Sequence, residues 1–519
     1  MRVSRTFAAL SLPAALWGCS SPINKPAVLD PALLARTPLP ADFLKPSDEG
    51  ERIVVLDTGW FADVDPAEHL TFAGYREHPE SVTFCMVLAC EPARDRLALL
   101  LLEAGESPLE VLADEPRRRQ LQQLARAFAR GDSVPAGQGE VIELSLEAAI
   151  AKPLLGSPLP PPGRIFAVVA NYPSHLTYDL AVRDVQTLRP VISAARPRVF
   201  LKYPVVPPPG VGIVPGFAFE GIIGPYDEIL YPARITVEME DGSGPIQVPT
   251  RLDYEVEIGA VMGRALDWEM VRDASDGELR EAVAGLVLMN DTKARNPQVF
   301  QKIKDDDRLP EPDNPYRFCQ GYLDRASAIW TRETCQWWSY AASWGNYTSI
   351  GPFFVAAPPS LADDARAVLS ARSYATAAVR GAPVPRGRSV DALYLRQCSM
   401  TTQDPAYEDR LLWTLPQIIR SILEPPNALA VLEDPVRIQP GDIICLGTPG
   451  GTVITSKPYG LFDLLEDILF IWDPLTWHNI FFTKEANLYL RTGDQLFLWA
   501  EGLGFQLLTV REVAMDLEQ

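Results

Sequence analysis

The stretch LDYEVEIGAVMG, residues 252–263, places three acids where a strand is predicted. Side chains of a strand alternate between its two faces, so Asp253, Glu255 and Glu257 share one face. Neighbouring like charges repel each other there, and acids are infrequent in strands. Water, a salt bridge or a bound cation could hold the carboxylates in place. This face is therefore the first candidate for chemistry in the chain.

Three further blocks contain residues whose types suit catalysis or binding. NYPSH follows the predicted strand GRIFAVVA and ends at His175. MNDTKARNPQ supplies Asp291, Arg295 and Gln298. GDIICLGTPGG places Thr448 in a turn after a strand, without the Gly-Lys-Ser/Thr of a phosphate-binding loop. Taken alone, each block also has an ordinary structural interpretation: a hydrogen-bonding histidine, a helix cap and a tight turn.

Together and in this order, the blocks resemble those of the fumarylacetoacetate hydrolase family. Its members show the motifs Asn-Tyr-x-x-His, Phe-x-Lys-Pro, Asp-Tyr-Glu-x-Glu-Leu, Asn-Asp-x-x-x-Arg-x-x-Gln and Gly-Asp-x-Ile-x-x-Gly-Thr-Pro-x-Gly. The corresponding stretches here are Asn171–His175, Phe200–Pro204, Asp253–Ile258, Asn290–Gln298 and Gly441–Gly451.

The resemblance implies a fold and a cofactor. The expected fold is α+β and β-rich, with a C-terminal β-roll that holds the active site, a smaller N-terminal α/β domain, and assembly into a homodimer. The resemblance also implies that Glu255, Glu257 and Asp291 ligate Mg²⁺, or Ca²⁺ or Mn²⁺ in its place. An all-carboxylate set suits such a hard divalent ion. Asp253 is then a neighbour of the site and not a ligand.

The resemblance further implies a substrate class and residue roles. Typical family substrates are small β-diketo or 2-oxo acids, such as acylpyruvates and fumarylacetoacetate, in which a C–C bond is hydrolysed. His175 is the expected base that deprotonates the attacking water. Thr448 and the amides of its turn are expected to hold the substrate carboxylate. The expected substrate-binding residues are Tyr172, Lys202, Arg295, Gln298 and Thr448.

Two departures from the family pattern bear on catalysis. Many members have a glutamate three residues after the histidine, where this chain has Tyr178. Asp179 lies one position further on, on the same side of a helix, and is the expected substitute. The family lysine before the Gly-Pro block is missing from residues 341–354, and Ala342 stands at or near its position. A missing cation weakens stabilisation of a developing oxyanion. Lys293 could supply that charge.

Three hypotheses for function follow. The first is a metal-dependent hydrolase that cleaves a C–C bond in a small oxo acid. The second is an isomerase, decarboxylase or hydratase of a related acid, because one fold supports several reactions. The third is an envelope-anchored module with lost or reduced catalysis, which the two departures favour.

The elements that must position these residues divide into two regions. An N-terminal α/β domain is predicted over residues 51–152, and a catalytic domain over 160–515, because a Pro- and Gly-rich stretch separates them. The catalytic domain is predicted as short strands, with a helical stretch at 278–291 and an apolar insertion at 459–485. That insertion could pack on its own core, on a second copy or beside a membrane. In the N-terminal domain, strands are predicted at 52–61, 81–90 and 96–105, and a basic helix is predicted at 116–131.

The N-terminal sequence resembles a bacterial lipoprotein leader. A basic start and an apolar run end in Leu-Trp-Gly-Cys, so residues 1–19 are predicted as a signal peptide with Cys19 as the lipidated residue. A Pro-rich tether is predicted over 20–50. The expected location is the cell envelope, anchored to the outer membrane and facing the periplasm. The alternative is an apolar N-terminal segment with a chance cysteine, in a cytoplasmic protein.

Composition narrows the classes of partner. The 519 residues have a formal net charge of −20, which argues against nucleic acid and anionic membrane surfaces as partners. Only four histidines occur, so a multi-histidine zinc site is not expected. The remaining cysteines lack metal-ligand spacing. Two disulfides are conceivable, one between Cys85 and Cys90 and one between Cys319 and Cys335. Free thiols are nevertheless expected for most of these cysteines.

Overall fold

The computed structural model describes the folded body with gaps. The described residues are 44–46, 52–54, 61–78, 81–176, 185–202, 222–238, 245–295, 342, 347–356, 367–375, 394–401, 410–425, 435–452 and 489–513, apart from 63, 195 and 451. Several sequence expectations fall outside them: the leader with Cys19, most of the tether, Asp179, Gln298 and the insertion at 459–485.

The described chain consists mainly of short strands. In chain order these are β1 (Leu44–Pro46), β2 (Arg52–Val54), β3 (Thr71–His78), β4 (Ser81–Glu91), β5 (Arg96–Leu101), β6 (Val141–Leu144), β7 (Leu155–Gly156), β8 (Ile165–Val168), β9 (Val199–Lys202), β10 (Glu228–Pro232), β11 (Arg234–Glu238), β12 (Pro245–Pro249), β13 (Leu252–Asp253), β14 (Val256–Met262), β15 (Val283–Asp291), β16 (Lys293–Ala294), β17 (Thr348–Val355), β18 (Ala367–Ala375), β19 (Tyr394–Thr401), β20 (Ile443–Cys445), β21 (Asp494–Ala500) and β22 (Gly504–Val513).

The described helices are few and short. They are α1 (Pro108–Ala113), α2 (Glu115–Ala129), α3 (Leu146–Ala151), α4 (Val185–Ala194), α5 (Trp268–Val271), α6 (Asp276–Arg280) and α7 (Leu415–Leu423), with a 3₁₀ turn at Pro92–Arg94. The prediction of an α+β, β-rich fold is confirmed. Among the described residues, no helix combines the length and apolar character that crossing a membrane requires.

The strands join into one large mixed sheet and several smaller ones. The large sheet has the order β6-β5-β4-β3-β17-β15-β14-β20-β8-β9, with β7 also paired to β3. A second sheet has the order β10-β22-β21-β18-β19, and β1-β2, β11-β12 and β13-β16 form separate pairs. Phe61 packs between the two larger sheets, with ring centroids 5.6 Å from Phe353 and 4.8 Å from Phe505.

The central strands are buried on both faces. Every residue of β14 and β17 is buried, and so is nearly every residue of β15. Strands of this kind show continuous apolar runs instead of alternation. The predicted helix over residues 278–291 is therefore wrong beyond Arg280. A short helix ends there, and the apolar run VAGLVLMND forms β15.

The N-terminal region is built on antiparallel pairs β3-β4, β4-β5 and β5-β6. Its predicted basic helix is confirmed as α2, which begins after the cap Asp114 and buries Leu121 and Ala125. Strand β3 pairs with β17, so the large sheet continues across the Pro- and Gly-rich stretch. The division of the chain into two domains stays a prediction.

Three cysteines of the described chain are free thiols: Cys85, Cys90 and Cys445. The disulfide that the spacing of Cys85 and Cys90 would allow is therefore not formed. Cys319 and Cys335 lie outside the described residues.

Candidate active site

The register of β14 and β15 brings three carboxylates together. Val256 pairs with Asn290, so the next pair along the ladder is Glu255 and Asp291. The backbone amide of Asp291 donates a 2.9 Å hydrogen bond to the backbone carbonyl of Glu255. Opposed residues of a ladder, and residues two apart on one strand, share a face. Glu255, Glu257 and Asp291 therefore point to the same side. Ligand oxygens of these residues, hereafter the carboxylate triad, lie within 4.8 Å of one another, and all three residues are buried.

The triad has the chemistry of a cation site. Burial raises the pKa of Glu257 well above its ordinary value, and the like charges of Asp291 and Glu255 raise it further. An added positive charge would relieve this repulsion. Three clustered carboxylate oxygens are the ligands that hard divalent ions prefer. The residues therefore fit the metal that the sequence resemblance implies.

A buried lysine contacts two members of the triad. Lys293 stands opposite Asp253 in the short β13-β16 ladder. Its Nζ forms an ion pair with Oε2 of Glu255 and lies 3.0 Å from Oδ2 of Asp291. The ammonium also lies 5.0 Å from the centroid of the Phe200 ring. The sequence pointed to Lys293 only as a possible substitute cation, and the structure places that cation on the carboxylates.

A second lysine reaches the triad from a distant strand. Lys202 of β9 places Nζ 2.5 Å from Oδ1 of Asp291 and donates to the Tyr347 carbonyl at 2.8 Å. In the sheet order, β9 is four strand spacings from β15, or about 19 Å in a flat sheet. A lysine side chain cannot cover that distance, so the sheet must curve around the site. The predicted role of Lys202 in substrate binding stays a prediction.

Salt bridges explain how the remaining acids are tolerated. Nε of Arg295 donates to Oδ2 of Asp253 at 2.8 Å, and its Nη2 pairs with Oε1 of Glu255. Asp253 is thus buried and paired beside the triad. Burial alone would raise the pKa of Glu255, but Lys293 and Arg295 outweigh it and lower this pKa to about 2. Glu255 is therefore ionised at neutral pH.

The candidate base lies beside this cluster. His175 is 6% exposed, and it is close enough to Glu255 to contribute to the lowering of the Glu255 pKa. Its block is anchored by Asn171, which donates to the Leu446 carbonyl at 2.8 Å and accepts from the Trp413 amide at 2.8 Å. Because Leu446 directly precedes the Gly-Thr-Pro-Gly turn, Asn171 ties the histidine block to that turn.

The turn approaches the histidine block so closely that its glycines have no room for a side chain. Gly447 has φ +93°, and a Cβ there would lie 2.7 Å from Cβ of Asn171. A Cβ on Gly450 would lie 2.5 Å from the Ser174 carbonyl oxygen, and the Gly450 amide donates to Ser174 Oγ at 2.8 Å. The two blocks therefore form one rigid wall of the site.

The same turn also contacts the triad strand. The Gly447 amide donates to Oε2 of Glu257 at 3.0 Å, and the Thr448 hydroxyl donates to the Val256 carbonyl at 3.1 Å. Thr448 is buried. The sequence expectation gave the amides of this turn to the substrate carboxylate, whereas the structure has the Gly447 amide on Glu257.

The structure brings Lys202, Glu255, Glu257, Asp291 and Arg295 into contact or close proximity. The predicted residues Tyr172, His175 and Thr448 are buried as well. Asp179 and Gln298 lie outside the described residues. Ala342, which the sequence resemblance sets at or near the position of the family lysine, is buried. Sequence reasoning did not predict the contacts of Asn171 and of the Gly447 amide, nor the ion pairs that Lys202, Lys293 and Arg295 form with the buried acids.

One family model matches the chain. The model of the fumarylacetoacetate hydrolase C-terminal domain matches residues 164–511, more than half of the chain. No curated protein sequence matches significantly.

Three of the solved structures to which the chain is similar are the following. Fumarylacetoacetate hydrolase from Exiguobacterium antarcticum is 16% identical with a TM-score of 0.42, over 86% of this chain and 100% of that one. 2-Hydroxyhepta-2,4-diene-1,7-dioate isomerase from Mycobacterium marinum is 15% identical with a TM-score of 0.40, over 85% and 98%. 5-Carboxymethyl-2-hydroxymuconate delta-isomerase from Mycobacterium smegmatis is 16% identical with a TM-score of 0.40, over 86% and 99%.

Proposed function

Because the chain belongs to the fumarylacetoacetate hydrolase family, we propose that it is a metal-dependent hydrolase of a small β-diketo or 2-oxo acid. The bond cleaved is a C–C bond, as in substrates of the acylpyruvate or fumarylacetoacetate type. One observation carries this proposal: the buried carboxylate triad lies beside His175 and the Gly447–Thr448 turn. The residues proposed as metal ligands, as the base and as backbone donors are buried, which supports a shared site.

The metal would be held by Glu255, Glu257 and Asp291. Mg²⁺ or Mn²⁺ in this position would supply positive charge to the keto-acid oxygens of the substrate. The protein's part is to hold the three ligands in register. The Gly447 amide fixes Glu257 through a 3.0 Å hydrogen bond, and Lys202 fixes Asp291.

His175 is the proposed general base. Its burial shields it from bulk water, so the water it deprotonates has to be one admitted to the site. Glu255 remains ionised nearby, because its pKa is held at about 2. This negative charge would stabilise the imidazolium that forms when the histidine accepts a proton. Asp179 is the proposed partner of the histidine.

The substrate carboxylate is proposed to bind at the Gly-Thr-Pro-Gly turn, through Thr448 and the turn amides. Tyr172, Lys202, Arg295 and Gln298 would complete the substrate site. For Arg295 the supported role is to hold Glu255, because its guanidinium already pairs with that residue and with Asp253.

A turnover assay tests the proposal. Purified full-length protein with Mg²⁺ or Mn²⁺ should consume the enol absorbance of an acylpyruvate and release two acids. His175→Ala should abolish the reaction, whereas His69→Ala should not, because His69 is a partly exposed residue of the N-terminal region. No loss of absorbance with any oxo acid of a panel would refute the hydrolase.

Product analysis separates the hydrolase from related activities of the same fold. An isomerase leaves the substrate mass unchanged, a decarboxylase releases CO₂, and a hydratase adds water without cleavage. The assay therefore needs mass spectrometry beside absorbance.

A second candidate is an envelope-anchored module with lost or reduced catalysis. Ala342, at or near the expected position of the family lysine, is buried and uncharged, so this position supplies no cation for a developing oxyanion. Metal binding without turnover of any oxo acid would support this candidate. Turnover that His175→Ala abolishes would exclude a module that has lost catalysis.

We also propose that Cys19 is lipidated, that the protein is held at the outer membrane facing the periplasm, and that it forms a homodimer. Cys19→Ala and globomycin should each block maturation of the precursor in bacterial cells. Light scattering on the purified protein should give twice the mass of the chain, and a monomeric mass would contradict the homodimer.

A further inference from the structure

We infer that Lys293 is an internal counter-ion of the carboxylate triad, one that a divalent cation must displace in order to bind. The inference rests on the proposed metal site but concerns this chain's own lysine. It makes Lys293 the residue that sets metal affinity.

The contacts of the ammonium carry the argument. Nζ of Lys293 pairs with Oε2 of Glu255 and lies 3.0 Å from Oδ2 of Asp291, so it bridges two of the three proposed ligands. The lysine side chain is 3% exposed. A divalent ion shared by these carboxylates would sit about 2.0–2.6 Å from their oxygens. The ammonium and the ion therefore compete for the same space between Glu255 and Asp291.

The remaining oxygens of the Glu255 and Asp291 carboxylates are already engaged by other cations. Oε1 of Glu255 is paired with Arg295, and Oδ1 of Asp291 lies 2.5 Å from Nζ of Lys202. The oxygens nearest Lys293 are thus the ones a metal would use. The ammonium is placed there by the β13-β16 ladder, which sets Lys293 opposite Asp253.

The charge balance of the cluster points the same way. The cluster contains four buried carboxylates and three buried cations. The carboxylates are those of Asp253, Glu255, Glu257 and Asp291, and the cations are Lys202, Lys293 and Arg295. Without Lys293, the deficit of positive charge equals the charge of one divalent ion. With Lys293 in place, the same ion leaves an excess positive charge, which is costly in a buried site unless an anion enters with it. Lys293 thus weakens metal binding to the free protein, and an anionic substrate would restore it.

A metal titration of Lys293→Gln tests the inference without any activity measurement. The full-length protein is stripped with EDTA and titrated with Mn²⁺, by calorimetry and by thermal shift. Lys293→Gln should bind Mn²⁺ at least about tenfold more tightly than wild type. Lys293→Arg, which keeps the charge, should bind as weakly as wild type. Equal or weaker Mn²⁺ binding by Lys293→Gln would overturn the inference.

Folding of the variant is informative as well. Lys293→Gln should melt earlier than wild type without metal and regain stability with Mn²⁺, because the ion takes over the role of the lost ammonium. If the variant fails to fold under every condition, the crystal structure of wild type with Mn²⁺ decides. An anomalous peak at the triad with Nζ of Lys293 moved off Glu255 and Asp291 supports the inference, and Nζ unmoved contradicts it.

The titration separates this inference from the proposed function. If Mn²⁺ binds neither protein, both the metal site and the role of Lys293 fail. If Lys293→Gln binds tightly but no oxo acid is consumed, the counter-ion role stands and the hydrolase fails.

Discussion

The backbone amide of Gly447 donates a 3.0 Å hydrogen bond to the side-chain carboxylate of Glu257. Through this bond, the turn that packs on the histidine block also fixes one member of the carboxylate triad. The position of Glu257 is thus set by a residue 190 positions later in the chain. Perturbing the turn should therefore affect the triad.

Gly447→Ala tests this coupling. The added Cβ would lie 2.7 Å from Cβ of Asn171, at a φ of +93° that side chains rarely adopt. We expect a loss of about 2–4 kcal/mol in the free energy of unfolding, from clash and backbone strain together. Mn²⁺ binding should weaken as well. Both are measured on one protein sample, by denaturant unfolding and by metal titration.

Gly131→Ala is the matched control for that substitution. Gly131 has a similar φ of +91°, but a Cβ there meets nothing within 4 Å. It should cost about 1 kcal/mol from strain alone and leave Mn²⁺ binding unchanged. Equal effects of the two substitutions would contradict the coupling.

Glu257→Gln should separate stability from metal binding. Without a cation, Glu257 suffers burial and repulsion from Asp291 and Glu255, which raise its pKa. A neutral amide of the same shape relieves that repulsion. The metal-free variant should therefore unfold within about 1 kcal/mol of wild type, while the thermal shift on adding Mn²⁺ should disappear. A variant that keeps the wild-type shift would remove Glu257 from the ligand set.

Arg295→Met should be strongly destabilising. Arg295 pairs with Asp253 and Glu255, and all three side chains are buried. Its removal leaves two buried carboxylates short of their partner, which costs about 3–5 kcal/mol. Urea unfolding measures this loss. Arg511→Met is the control, since its pair with Glu228 is half exposed and should matter little.

The pair of Glu106 and Arg117 should make stability depend on pH. Arg117 donates to both carboxylate oxygens of Glu106 at 2.9 Å, and these hydrogen bonds outweigh burial and lower the pKa of Glu106. The unfolded value is about 4.3, so the stabilisation is complete above that pH and is lost as pH falls through the lower folded-state pKa.

Substitution isolates this contribution. Glu106→Gln should reduce the free energy of unfolding by about 1 kcal/mol at pH 7, and the difference from wild type should shrink as pH falls towards 3. Glu103→Gln is the matched control, because Glu103 is 81% exposed and lies 3.5 Å from the same arginine. A Glu106→Gln difference that does not change with pH would refute the assignment.

The sequence predicted the triad better than its surroundings. The shared face of Glu255 and Glu257 follows from strand alternation alone, and the family resemblance added Asp291. The position of Lys293 depends on a two-residue ladder, which no local pattern encodes. The strand at Val283–Asp291 was taken for a helix because strands buried on both faces show no alternation. The salt bridge between Asp253 and Arg295 joins residues 42 positions apart, and only the folded chain brings them together.

The pairing of β3 with β17 has a practical consequence for truncation. Strand β17 holds Thr348 against Asp291, and its opposite edge is covered by β3, where Phe353 pairs with Ala73. A protein cut at the Pro- and Gly-rich stretch would lose β3 and expose this apolar edge, with two phenylalanines, to solvent. Open edges of that kind recruit strands from other molecules. The shortened chain should aggregate, and co-expression of the missing N-terminal segment should restore its solubility.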